Sequence, residues 1–304
     1  MKKNLLIPLV AFLFFGQFLC ANSKTDSIEP DPTGLAPHHI SNTVTSQQLP
    51  TTLLNRNPDY QVYAYNAYDP ASVIPEGPVT FFLNDPGGLT SLAATTSTNF
   101  IAAGTMIDDT WIGCEYGSGN FYTMGLDGTM TLIGGNGTAC NGLAYDDNSG
   151  ILYGATYNGA SSDLYIINPA TGFGTLVGTI NSGVIIAMAA DNAGNLYGVD
   201  IVDDHLYSIN PMTGSGTIIG PLGIDIQYAQ DAEYDKDDDV LYLAAYTTSG
   251  ELYTCNTNTG ATSYVGTFPG GMELTTLAIP YNLSGAPVIP VGSTGIIIAG
   301  LLMA

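Results

Sequence analysis

Positive charge is the scarcest thing in this sequence: five lysines and arginines stand against 27 aspartates and glutamates in 304 residues, a formal net charge of −22 at pH 7. A surface of that sign repels phosphate backbones and anionic headgroups. It excludes charge-driven nucleic-acid or membrane-surface binding and leaves cations, neutral sugars or basic proteins as compatible partners. Histidine is nearly absent too. His38 and His39 are adjacent near the N-terminus and His205 follows Asp203 and Asp204, so nucleophilic triads and zinc sites lack the imidazoles they need. No stretch has convincing helical periodicity. The apolar runs Leu5 to Phe15 and Ile296 to Ala304 are shorter than the ~20 residues of a spanning helix, so no integral span is expected.

What is present begins with an export signal. Lys2 and Lys3 precede the apolar run, and Leu19-Cys20-Ala21 offers a small-residue cleavage site before Asn22, which predicts a signal peptide over 1–21 and a secreted or cell-surface protein. Lipidation of Cys20 fits poorly, because the bulky Leu19 stands where a lipoprotein peptidase reads a small residue. Residues 22–57 are rich in Pro, Ser, Thr and Gln and read as an arm or linker. Residues 282–304 read as a Pro/Gly linker with a short apolar tail, resembling the start of a bacterial C-terminal sorting tail without its closing basic cluster.

Between them one phrase keeps returning. "DLYIINPATGFGTLVGTI" reappears as "HLYSINPMTGSGTIIG" and as "ELYTCNTNTGATSYVG", inside a longer unit of four short β-rich strands, A to D. The glycine closing strand D falls at Gly134, Gly178, Gly220 and Gly266, intervals of 44, 42 and 46 residues. Repeats of that length are β-propeller blades, each unable to bury its faces alone. The first copy lacks a strand A, and an orphan strand A, "ELTTLAIPYN", ends the region. Circular closure explains both and predicts an all-β, five-bladed propeller over 58–281, either a monomeric ring or part of a larger chain.

The repeat, with its Asn-Pro-x-Thr-Gly turn, resembles the blades of bacterial secreted propellers of the YVTN/lactonase-like and PQQ-like kinds. The resemblance implies a fold and not a reaction. Lactonase-type members use seven blades and a central arginine; five blades with no arginine over 58–281 do not fit that activity.

Candidate sites lie at the blade ends. Asp108, Asp146, Asp191 and Asp235 end strand A in four successive blades, with Pro280 at the fifth position. Converging carboxylates are what calcium, the one candidate cofactor, requires; equally, each aspartate suits the A–B hairpin turn. The Asp235–Asp239 run "DKDDD" lacks the glycine and glutamate of an EF-hand and reads as a solvated hairpin. On the opposite face, Tyr116, Tyr157 and Tyr246 end strand B at one equivalent position, with Tyr65 and Tyr68 nearby and Ile201 as the exception. Glu115 and Asp200 precede that position, and Asp231 and Glu273 lie between D and A. Rings with carboxylates suit sugars, so Tyr116, Tyr157, Tyr246 and Asp200 are the ligand-binding candidates; packing between blades accounts for the same tyrosines.

These features point to a binding module for a carbohydrate or protein at the loop-lined mouth. One rival is a glycoside hydrolase using two of Glu115, Asp200, Asp231 and Glu273, which needs a carboxyl pair ~5 to 9.5 Å apart in a cleft. The other is a passive domain of a larger surface protein. Cys114 and Cys140 fall toward one face of neighbouring blades, where a disulfide closing 25 intervening residues would add ~3 kcal/mol. Cys255, within a strand C, is expected to be a buried thiol.

Overall fold

The structure, a computed structural model, describes residues 61–95, 99–228 and 230–281. The predicted export signal, the predicted arm with His38 and His39, and the tail lie outside the described residues.

The described residues fold as the repeat dictates. Strands β1 (Gln61–Tyr68), β2 (Gly77–Phe82) and β3 (Asp85–Ser91) are followed by four complete sheets. The first of these holds β4 (Ile101–Ile107), β5 (Thr110–Glu115), β6 (Asn120–Met124) and β7 (Met130–Gly135). Next come β8 (Gly142–Asp146), β9 (Ile151–Tyr157), β10 (Ser162–Ile167) and β11 (Gly174–Thr179). The third has β12 (Ile185–Ala190), β13 (Leu196–Asp200), β14 (His205–Ile209) and β15 (Gly216–Pro221), and the fourth β16 (Asp231–Asp235), β17 (Val240–Tyr246), β18 (Gly250–Cys255) and β19 (Thr262–Thr267). Finally β20 (Glu273–Ala278) pairs antiparallel with β1, so the closing blade reads β20-β1-β2-β3. This is a five-bladed β-propeller. The inner strands β4, β8, β12, β16 and β20 pack in succession, and β20 returns to β4. Among the described residues no helix is long and apolar enough to cross a membrane.

The returning phrase has a physical reason at each letter. The leucine or phenylalanine of the third strand, Phe121, Leu164, Leu206 and Leu252, is buried between neighbouring blades. In each Asn-x-x-x-Gly turn the asparagine side chain of Asn168, Asn210 or Asn256 accepts the N–H two residues on, at 2.9 Å in all three. The glycine that follows, Gly172, Gly214 or Gly260, adopts φ of 70, 77 or 78°, where a side chain would be strained. Apolar clusters between successive sheets then supply the core.

Cys114 and Cys140 are adjacent buried thiols in this structure: the Cys140 N–H donates to Cys114 Sγ at 3.3 Å, and both S–H groups face Thr138 O. Cys255 is a buried thiol donating to Gly260 O at 3.2 Å.

Candidate functional site

Alternation of strand direction gives the ring two faces. The A–B and C–D turns form the lower face; the B–C and D–A loops form the upper one.

On the lower face the aspartates serve their own hairpins. Asp146 accepts Asn148 N–H at 3.0 Å, Asp191 accepts Ala193 and Asn195 N–H groups at 2.9 Å each, and Asp235 accepts Asp237 N–H at 3.2 Å. Asp108 turns with φ of 50°. Among the described residues no three Asp, Glu, His or Cys side chains gather closely enough to hold a metal ion.

The "DKDDD" hairpin departs in part from its reading as a solvated run: Asp237 and Asp239 are exposed, but its first two residues are not. Asp235 is fully buried, and the Lys236 side chain is only 5% exposed. Lys236 leaves β16 and crosses the lower end of the axis to the sheet of β8, where its ammonium pairs with Asp147 and donates to Tyr145 O at 3.2 Å. The Tyr281 ring lies beneath it, 4.3 Å from Nζ to the centroid, and the Tyr281 hydroxyl donates to Asp147. Above this plug, Glu233 accepts the Thr105 hydroxyl at 2.8 Å from across the ring. Burial is the main cause that pushes the Glu233 carboxyl up to about 7, against the opposing pull of Lys236. Sequence reasoning missed this set, although a single lysine among the described residues of so acidic a chain was the available signal.

On the upper face the predicted carboxylates separate into two kinds. Asp200 is wholly buried, accepting N–H groups of Gly183, Val184 and Val202 at 2.6, 3.1 and 2.8 Å, so it ties the loop before β12 to the end of β13. Asp231, also fully buried, accepts Ala232 and Leu277 N–H groups, each at 2.9 Å. Leu277 can turn toward it because β20 shifts register beside Thr276, which has φ of 51°. Burial raises the carboxyl pKa of both. These two act as tethers. Glu115 and Glu273 belong to the second kind. Glu115 is half-buried and accepts the Tyr122 hydroxyl at 3.2 Å and the Asn120 amide at 3.3 Å.

Glu273 stands among the tyrosines. It is the Cα partner of Tyr68 across β20 and β1, and both lie within electrostatic range of the Tyr246 hydroxyl, as does Tyr228. The rings of Tyr228 and Tyr246 meet edge to face, 5.5 Å between centroids. The Gln227 N–H donates to Tyr246 O at 2.7 Å, fixing the loop that carries Tyr228 to the end of β17. Burial, then Glu273, raises the Tyr246 hydroxyl pKa. Tyr116 packs against Phe100 in the same edge-to-face manner at 6.3 Å, and Tyr157 ends β9 opposite Ser162. The structure therefore brings Tyr246, Tyr68 and Glu273 together and leaves Tyr116, Tyr157 and Asp200 on other blades. Tyr228, in a D–A loop outside the repeated phrase, had no periodic signal to reveal it.

No protein-family model matches the chain, and no curated protein matches it. Among solved structures it is similar to a protein of unknown function from Bacteroides thetaiotaomicron VPI-5482, with a TM-score of 0.43 and 14% identity over 67% of this chain and 49% of that one. It is also similar to a chain of a nidogen/laminin complex, with a TM-score of 0.49 and 12% identity over 73% of this chain and 98% of that one. The chain thus spans about half the length of the Bacteroides protein that it matches.

Proposed function

We propose that the protein is a secreted or cell-surface binding module that takes a carbohydrate or protein ligand at the upper mouth of its propeller. The observation that carries this reading is the pairing of half-buried aromatic rings with a carboxylate on that face: Tyr228 against Tyr246 beside Glu273, and Tyr116 against Phe100. Ring faces stack on apolar ligand surfaces, while hydroxyls and carboxylate oxygens hold polar groups. The hydrolase reading finds less support, since Asp200 and Asp231 spend their oxygens on backbone N–H groups.

A thermal unfolding scan of the protein against a panel of oligosaccharides tests the reading. A ligand binding only the folded state at 100 times its Kd adds about 2.7 kcal/mol. The expected result is a shift for at least one sugar that Tyr116→Ala or Tyr246→Ala removes. A shift that survives both substitutions places the ligand elsewhere and overturns the assignment of the mouth.

A further inference from the structure

One interface between blades is built from different atoms than the next. Where the inner strand pairs with the second, Ala103 stands opposite Cys114, Gly142 opposite Ala155 and Ala187 opposite Val199, so Cys114, Ala155 and Val199 hold one equivalent position. Cys140 and Ile185 lie two residues before Gly142 and Ala187 and are equivalent in turn. Between β9 and β12 the aliphatic Ala155 and Ile185 share one apolar cluster; between β5 and the residues leading into β8, Cys114 and Cys140 share another. All four side chains are fully buried, so packing alone does not require sulfur here. The Cys140 N–H donates to Cys114 Sγ at 3.3 Å, which sets that sulfur against the main chain of its neighbour. Both thiols aim at one acceptor, Thr138 O, at 3.8 and 3.7 Å, and a thiol is a weak donor, so little is lost when those contacts are given up. Gly154 lies beside Cys140 Sγ, where a Cβ would come within 2.5 Å, so the core already leaves that sulfur its space.

We propose that Cys114 and Cys140 close into a disulfide when the chain folds under oxidising conditions, pinning the end of β5 to the strand that opens the next blade. Rotation about the cysteine side chains brings the sulfurs together without moving the blades. The covalent loop holds 25 intervening residues, with β6 and β7 among them. The inference goes beyond the ligand at the mouth and takes from the proposed function only export into oxidising surroundings. The step balances as thiol–disulfide exchange with an external disulfide such as oxidised glutathione. Its S–S bond and the two S–H bonds break, one new S–S bond forms, two electrons pass to the external disulfide, and the two protons leave on the two thiols it becomes. Burial, with Cys140 alongside, raises the Cys114 thiol well above its ordinary value, so thiolate is scarce in the finished ring. Exchange therefore belongs to folding, before the interface closes, and the buried bond is afterwards shielded from reductant.

Refolding the full chain from urea in a mixture of reduced and oxidised glutathione, followed by intact mass and non-reducing peptide mapping, tests the bond. A mass two hydrogens lower, with the Cys114 and Cys140 peptides joined, is the expected result. The urea midpoint of that species should stand above that of the reduced chain, and the difference should vanish in Cys114→Ala and in Cys140→Ala. Cys114→Ala guards against misfolding, since alanine already serves at the equivalent Ala155. Recovery of both residues as free thiols when the refolded chain is unfolded and alkylated overturns the proposal. So does joining of either to Cys20 or Cys255, or an oxidised form whose midpoint lies below that of the reduced one. A bond that closes in the glutathione mixture but is missing from chain collected outside the expressing cell counts against export and leaves the disulfide standing.

Discussion

Lys236 shows how one residue can matter more than its place in the sequence suggests. Its neighbours Asp235, Asp237, Asp238 and Asp239 make the stretch look like a solvated acidic turn. Instead the ammonium is buried against Asp147 and Tyr281 and joins sheets that are not neighbours in the ring. Removing one partner of a buried pair leaves the other charge uncompensated, which costs about 3–5 kcal/mol, while neutralising both costs far less. Urea unfolding of Lys236→Met should therefore show a loss of that size, and adding Asp147→Asn to it should recover most of the loss. An unchanged midpoint for Lys236→Met would mean that the pair behaves like a hydrated surface contact.

At the scale of elements, the glycine that closes each outer strand explains the repeat period. A Cβ on Gly134, Gly178 or Gly220 would stand 2.5, 2.1 or 2.2 Å from the carbonyl oxygen of Thr171, Thr213 or Thr259, and one on Gly266 would meet Pro86 at 2.6 Å. Gly134, Gly178 and Gly220 let their strands press against the turn between the two outer strands of the next blade, and Gly266 lets β19 press against the start of β3. Gly178→Ala should destabilise the ring by about 1–3 kcal/mol, as overpacking does, while Gly87→Ala, whose nearest neighbour is 3.7 Å away, should leave thermal unfolding unchanged or raised. Equal midpoints for the two would show that the blades shift apart freely. The period of these glycines was legible in the sequence; their packing partners were not, because they belong to another repeat.

Across the whole molecule, legibility follows sequence distance. The blade count and the closure of β20 onto β1 could be read because repeats and a displaced strand leave a local trace. The axis could not, since Thr105 meets Glu233 across 128 residues and Lys236 meets Asp147 across 89. The tyrosines of the mouth were visible where they recur and hidden where Tyr228 comes from a loop. The buried axis also sets how stability should answer to pH. Glu233 is raised from an ordinary 4.5 to about 7, chiefly by burial; Lys236 and the Thr105 hydroxyl pull it down and Asp147 pushes it up. Asp231 is raised by burial and by Glu233, and Asp204, in the upper loops, is raised to about 7 by burial. In each case the folded state binds the proton more tightly than the unfolded chain. Their stabilising contribution is fully present below the unfolded pKa and is lost as pH rises through the folded one. For Glu233 alone a rise from 4.5 to about 7 corresponds to about 3 kcal/mol. Urea midpoints should therefore fall steadily between about pH 5 and pH 8, in the same direction as the growing self-repulsion of an acidic chain. Glu233→Gln separates the two causes: it leaves the surface charge almost untouched, so it should flatten the fall and gain most at pH 8. A midpoint that instead drops on Glu233→Gln at pH 8 would mean that attraction to Lys236 outweighs burial and that Glu233 is charged on the axis.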